Sequence, residues 1–333
     1  MITATHDLRL GARITNAVAL HYTSGADATI ERPLAVRAGS SLARLGGRIV
    51  VAQDDAAFLA LLDLATLRVD PVTLPAGADG RRIFEARQGN KQFKYDFEAC
   101  CVVAVGGEEL LLVFGSGSTP RRERVALLRF VDHQPVVTIV DAHALYAQLR
   151  AATDFAGSEL NIEGVIFTGA VLRFFNRGNG DPHGQITPVN ATCEIPWHAL
   201  ANLLLNGGTT AMPAPTTIVQ YDLGAVASCA LTFTDATIAA GVVLYSAAAE
   251  ASPNAIDDGP TTGAALGVIA ANCTARYTLL TEANGSPSLR KVEGVLFDPA
   301  RPTELLLVVD NDDPDAAADL CTVELRGPWW VPT

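Results

Sequence analysis

At 333 residues, 49% of them hydrophobic and 18% charged, the chain is long enough to bury a sizeable core and too apolar to stay disordered. Its 24 basic residues against 36 acidic ones leave a formal net charge of −12, which argues against broad nucleic-acid binding, since that needs a basic footprint to displace phosphate counterions. Six scattered cysteines, none in C-x-x-C spacing, argue against a zinc cluster or a disulfide framework and read as buried thiols acting as small hydrophobes.

The start, MITATHDLRLGARI, has no basic segment followed by an apolar core, and no apolar run reaches the roughly 18 residues that span a bilayer. The expectation is a cytoplasmic protein without membrane contact. RLGARITNAVALHY (residues 9–22) is strand-like but has no partner nearby in sequence. From there the chain runs through paired apolar segments divided by Gly, Asp or Pro: SLARLGGRIVVAQDD, EACCVVAVGGEELLLVFGSGS, EGVIFTGAVLRFFNRG, CALTFTDATIAAGVVLYSAAAE and EGVLFDPARPTELLLVVDNDD. Between them, DAHALYAQLRAA (residues 141–152) has an Asp cap and helical spacing, and IPWHALANLLLNG (residues 195–207) is a second helix ended by its Gly.

The five phrases share one grammar: a polar or small residue, an apolar strand, a tight turn, a more apolar strand and a polar loop. Matching positions Ser40, Glu98, Glu163, Cys229 and Glu293 recur every 58 to 66 residues or so, and further strands such as RVALLRFVD and QPVVTIVD follow each pair. Each unit therefore supplies about four antiparallel strands, the composition of a β-propeller blade. The predicted fold is all-β: one propeller domain over residues 1–333, with five four-stranded blades and two short helical insertions. The ring is closed by strands from both termini, because the last unit lacks a fourth strand after LCTVELRG. Six blades result if the first 40 residues hold a degenerate unit. Two stacked β-sandwich domains form the rival reading, which does not account for the repeat.

In a propeller the first strands of all blades flank one channel, so Glu98, Glu163 and Glu293 are expected at a shared mouth, with Asp54, Asp55, Ser116, Asn176, Arg177 and Asp310 on the surrounding loops. Converging carboxylates persist only with a cation, protonation or a nearby Arg to compensate them. Oxygen-only ligands favour Ca²⁺ or Mg²⁺. Arg177 and Arg121 are the internal alternatives to an ion. DNDDPD (residues 310–315) resembles part of a calcium loop but lacks its Gly and distal Glu, and reads better as an exposed acidic turn. GSGSTPRRER is not a phosphate loop, and no nucleophile elbow is present. His183 in GDPHGQI follows Asn176 and Arg177 and is a candidate acid or base, or an ordinary loop histidine.

NIEGVIFTGAVLRFFNRGN and KVEGVLFDPARPTELLLVVDNDDPD resemble the bacterial phytase-like, or esterase-like phytase, β-propeller group. The resemblance runs from about Ser40 onward through the repeats. It implies a calcium-dependent propeller acting on phosphate esters or other esters, with carboxylates holding the metal. The Glu-Gly strand starts are also similar to those of lactonases of the gluconolactonase type.

Two functional readings follow. In the first, Glu98, Glu163, Glu293, Asp54, Asn176 and Asp310 hold Ca²⁺ or Mg²⁺ in a hydrolase for a small-molecule ester, lactone or phosphoester, with Glu163, Arg177 and His183 in catalytic roles. In the second, the propeller is not an enzyme: Glu–Arg pairs close its channel, and its rim binds a protein or small ligand.

Overall fold

The computed structural model describes residues 1–208, 212–251 and 259–330, and strands dominate it. The first four-stranded sheet runs Gly39–Leu45, Arg48–Gln53, Phe58–Asp63 and Arg68–Thr73. The second runs Phe97–Val105, Glu108–Gly115, Arg124–Val131 and Gln134–Asp141. Both open on a two-residue hairpin, and its left-handed positions are filled by Gly46–Gly47 (φ 57° and 80°) and Gly106–Gly107 (φ 62° and 88°). Tight hairpins of this kind require positive φ at both central residues, which glycine adopts without steric cost.

A third sheet takes Ile162–Phe167, Val171–Asn176, Asn190–Pro196 and Thr216–Asp222, and Ile2–Thr3 adds in parallel at its outer edge. Cys229–Ala239, Val242–Glu250, Thr261–Ile269 and Ala275–Thr281 form a fourth unit, and Lys291–Phe297, Glu304–Asp310 and Asp319–Arg326 a fifth. The fifth is completed by the N-terminal strand Gly11–Ala19, antiparallel to Asp319–Arg326, so the two ends of the chain share one sheet. Leu280 and Thr281 also pair with Ala12 and Arg13, which fuses the fourth and fifth units into one ten-stranded sheet.

The second strand of each unit is apolar almost throughout because it is buried on both faces. Side chains of a strand alternate in direction, so neighbouring residues serve different cores. Val50 packs with Leu111 between the first and second units, whereas Val51 packs with Val308 between the first and fifth. Phe174 meets Phe114 edge-on at 5.3 Å on one side, and Phe175 meets Phe233 at 5.3 Å on the other. Leu244 and Leu307 fill the space between the fourth and fifth units. The first strands also touch in turn: Gly39–Leu45 packs on Phe97–Val105, that strand on Ile162–Phe167, then on Cys229–Ala239, then on Lys291–Phe297, which packs on Gly39–Leu45.

Among the described residues three α-helices, His143–Ala151, Thr153–Ala156 and Trp197–Asn206, stand where two were expected, beside four single 3-10 turns. Ala152 breaks the first from the second; the cap position of the first is Ala142 and not the expected Asp141, whose carboxylate, one residue earlier, still accepts the His143 amide at 2.9 Å. Cys100, Cys101, Cys193 and Cys321 are buried thiols as expected, whereas Cys229 is half-buried and Cys273 exposed. Among the described residues no helix is long and apolar enough to cross a membrane.

Candidate functional site

Pairing slips by one residue near the start of all five first strands, at Ser40, Glu98, Glu163, Thr234 and Glu293. A bulge leaves its extra residue out of the ladder and re-aims that side chain. The fourth matching position is therefore Thr234 and not Cys229, which lies five residues earlier on the same strand. The strand is 11 residues long, and its extra length at the start misleads an alignment made on the first apolar residue. At two bulges hydroxyls tie strands together: Ser40 donates to the Phe97 carbonyl at 2.5 Å and Thr234 to Ser246 Oγ at 2.9 Å. The other three carry carboxylates.

The glycine after the carboxylate has its own cause. A Cβ on Gly294 would lie 2.7 Å from Val308 Cγ1 and 2.9 Å from Ser41 Cα, so the neighbouring first strand leaves no room for a side chain. Gly164 approaches the Asp235–Ala236 backbone in the same way, with 3.2 Å to Ala236 N.

The bulges bring the acidic residues of distant units together. Asp54 repels Glu98, Glu98 repels Glu163, Glu163 repels Glu293, Glu293 repels Asp310, and Asp310 repels Asp54, which completes a circuit of negative charge. Asp96 and Glu250 join it. Four buried cations stand among these seven carboxylates. Lys94 Nζ lies 2.5 Å from both Asp54 Oδ2 and Asp96 Oδ1, and Arg122 Nη1 is 2.8 Å from Asp96 Oδ2. Arg177 reaches Glu250 at 2.5 Å, Glu163 at 3.4 Å and Glu293 at 3.9 Å. Lys291 contacts Asp312 at 2.8 Å, Glu293 at 3.5 Å and Asp310 at 3.6 Å.

Seven against four leaves an excess of acid that bound protons offset, and the proton affinities reflect it. Burial raises Glu163 and Glu293 to about 8 and Asp310 to about 7, overriding the attraction of Arg177 and Lys291. Glu98 is pushed well above the usual carboxylate range by burial and by repulsion from Asp54, Asp96 and Glu163. Asp96 goes the other way, to about 2, because Lys94 and Arg122 outweigh its burial. Lys94 is held well above the usual lysine value by Asp54, Asp96 and Glu98, despite its burial.

Asp54, Asp96 and Glu98 each direct an oxygen into a space where these atoms lie within 4.8 Å of one another. Oxygen donors without His or Cys suit a hard divalent cation. Two further features fit an ion: Asp54 Oδ1 is buried without a hydrogen bond, and Glu98 makes none among the described residues. One feature opposes it, the Lys94 ammonium seated between Asp54 and Asp96. A cavity of about 350 Å³ opens beside this group, lined among others by Arg37, Asp54, Asp55, Lys94 and Asp310.

Of the residues singled out in the sequence, Asp54, Glu98, Glu163, Arg177, Glu293 and Asp310 meet here. Asn176 and His183 do not. Asn176 is fully buried and accepts the Asn161 amide at 2.8 Å while donating to the Val189 carbonyl at 3.0 Å, so it braces the strand end. His183 is an exposed loop residue, 3.8 Å from Glu159. Arg121 is not a compensator: its guanidinium lies over the Phe93 ring at 4.9 Å, and the adjacent Arg122 enters the site instead. After Asp310, which ends its strand, the rest of DNDDPD is an exposed turn, with Asp312 on Lys291 and Asp315 on Arg87.

Sequence reasoning missed Lys94, Asp96, Glu250 and Lys291. One of them had a signal: Lys291 stands two residues before a bulge glutamate on the same strand, in KVE. Lys94 and Asp96 precede their strand, and Asp96 is left-handed (φ 58°), so strand alternation does not reach them.

The opposite end of the first strands has other chemistry. A cavity of about 270 Å³ there is lined by residues of all five, among them Leu42, Cys100, Val165, Ala236 and Leu296. Between the two ends sits Asp235, 1% exposed, whose carboxylate accepts the Ser41 hydroxyl at 3.1 Å and the Val295 amide at 3.0 Å.

Among solved structures the chain is similar to glutaminyl cyclase of Myxococcus xanthus, at 10% identity over 96% of this chain and 98% of that one, with a TM-score of 0.46. It is similar to the calcium-binding protein regucalcin from Agrobacterium tumefaciens, at 9% identity over 99% and 98%, with a TM-score of 0.42. A third is the GH93 α-L-arabinofuranosidase of Fusarium graminearum, at 7% identity over 92% and 98%, with a TM-score of 0.42. Likeness at this level carries no argument about reaction or ligand. No curated protein matches the chain. Residues 35–325 match the model of a family of unknown function (DUF6929).

Proposed function

The chain belongs to the family of unknown function DUF6929, and on that footing we propose that it is a divalent-metal-dependent hydrolase working at one end of a five-bladed β-propeller. Five successive first-strand contacts that return to their start, five cores lying between neighbouring units, and a cavity lined from all five first strands support the ring. Residues 1–333 then make one domain, closed by the N-terminal strand in the fifth unit.

The observation that carries the reading is the acidic excess at the mouth, centred on Asp54, Asp96 and Glu98. These three would hold Ca²⁺ or Mg²⁺. A divalent ion supplies Lewis-acid polarisation of a carbonyl or phosphoryl oxygen and lowers the proton affinity of water. Glu163, at about 8 and hydrogen-bonded by Asn161 Nδ2 at 2.7 Å, exchanges a proton near neutral pH. Arg177 is engaged by Glu250 and Glu163, which makes it a positioning residue for Glu163. The cavity lined by Asp54, Asp55, Asp310 and Lys94 receives the substrate. Its wall carries six carboxylates and four cations, Arg37, Arg87, Lys91 and Lys94, so it offers partners of both signs to an ester, lactone or phosphoester.

The alternative, a non-enzymatic propeller closed by Glu–Arg pairs, draws on the Arg177 contacts with Glu163, Glu250 and Glu293. Calorimetric titration of chelator-treated protein with Ca²⁺ and with Mg²⁺, repeated on Glu98→Gln, separates the two. Saturable binding lost in Glu98→Gln supports the hydrolase and justifies a screen of esters and lactones. No binding of either ion to either protein sinks it in favour of the closed channel.

A further inference from the structure

Lys94 stands where an ion would stand. Its ammonium is 2.5 Å from Asp54 Oδ2 and 2.5 Å from Asp96 Oδ1, two of the three residues whose oxygens converge within 4.8 Å. Calcium–oxygen distances are about 2.3–2.6 Å, so an ion on the same two oxygens occupies the space of the ammonium nitrogen. The side chain is 6% exposed, and the same site therefore already shows that it accommodates one cation, the chain's own. The wall of the 350 Å³ cavity includes Lys94, which gives the displaced ammonium somewhere to go, toward Asp55 and Asp310.

Resting on the metal-site reading above, we infer that Lys94 is a built-in competitor for the divalent ion: ion and ammonium exclude one another from the Asp54–Asp96 position, and loading turns Lys94 into the substrate cavity. This gives the site a consequence that an acidic cluster alone lacks. With the ammonium in place Asp54 and Asp96 are ion-paired, and the cavity wall beside them carries Asp55 and Asp310 together with Arg37, Arg87 and Lys91. With the ion in place the Lys94 ammonium joins Arg37, Arg87 and Lys91 on the cavity wall as a further donor to the oxygen of a bound ester or lactone.

Two measurements test it. The first compares Ca²⁺ affinity of wild-type protein and Lys94→Met by calorimetry after chelator treatment. Competition predicts at least tenfold tighter binding by Lys94→Met, because no ion pairs must be broken to load the site. Equal or weaker binding by a folded variant overturns the inference while leaving the metal reading intact. Silence from both proteins overturns both. The second uses wild-type protein alone and so does not depend on the variant folding: acetylation by acetic anhydride, read by peptide mass spectrometry with and without Ca²⁺. Displacement predicts several-fold faster labelling of Lys94 with the ion than without it. Labelling that Ca²⁺ leaves unchanged or slows, in protein shown by calorimetry to bind the ion, overturns it.

Discussion

Arg177 Nη2 lies 2.5 Å from Glu250 Oε2, joining the end of the third unit's second strand to the end of the fourth unit's second strand. The same guanidinium faces Glu163 and Glu293 and donates through Nε to Thr232 Oγ1 at 3.2 Å. All of these groups are buried. Truncating one member of a buried ionic group strands the others and costs about 3–5 kcal/mol. Arg177→Met is expected to lower unfolding free energy by about that amount, and Arg177→Met with Glu250→Gln to recover part of it. Urea denaturation of wild type, Arg177→Met, Glu250→Gln and the double variant checks this, and additive losses would show that the pair is not coupled.

Ion affinity should rise with pH. Glu163 and Glu293, at about 8, and Asp310, at about 7, keep protons in the ion-free fold that ordinary carboxylates lose near 4 to 4.5. Each proton released between pH 6 and 8.5 adds a negative charge beside Asp54, Asp96 and Glu98 and strengthens attraction for a cation. The same groups bind more protons folded than unfolded across this window, so ion-free stability falls as pH rises through it. Ca²⁺ titrations at pH 6 and pH 8.5 are expected to show at least several-fold tighter binding at the higher value.

Asp235 offers a pH signature away from the mouth. Burial raises it well above its ordinary value of 3.8, although the Val295 and Ala236 amides and the Ser41 hydroxyl all donate to it. The folded protein therefore holds a proton that the unfolded chain releases from about pH 4 upward, and stability declines as pH rises from there toward the folded value. Asp235→Asn removes this contribution. Melting temperatures measured from pH 4 to 8 should fall less steeply with pH in the variant than in the wild type.

Gly294→Ala tests why glutamate is followed by glycine. A Cβ at 2.7 Å from Val308 and 2.9 Å from the Ser41 backbone forces the first and fifth units apart. Overpacking of this kind costs about 1–3 kcal/mol. Chemical denaturation is expected to show that loss, and Gly241→Ala, in open space but at φ 84°, separates backbone strain from overlap.

His183→Ala should leave any ester or lactone turnover within twofold of wild type, since the ring is exposed and 3.8 Å from Glu159. A large loss in kcat would place that loop over the active cavity.

Much of the architecture was legible because it is written in short periods. Apolar alternation, Gly-Gly hairpins and a recurring strand pair depend on neighbours in sequence, so the four-stranded units and the sharing of one sheet by both termini could be read without any tertiary information. The acidic half of the site was legible for the same reason, since the repeat carries Glu98, Glu163 and Glu293 to equivalent bulges. Tertiary structure alone decided the rest. Which residue of the long fourth-unit strand is the bulge depends on its register with Val242–Glu250, and that selects Thr234 over Cys229. Which cation answers which carboxylate depends on approach between units: Arg177 finds Glu250, 73 residues away, and Lys94 finds Asp54, 40 residues away. Electrostatic energy falls with distance in space and takes no account of distance along the chain, so residue type and spacing identified the acids, and the folded chain chose their partners.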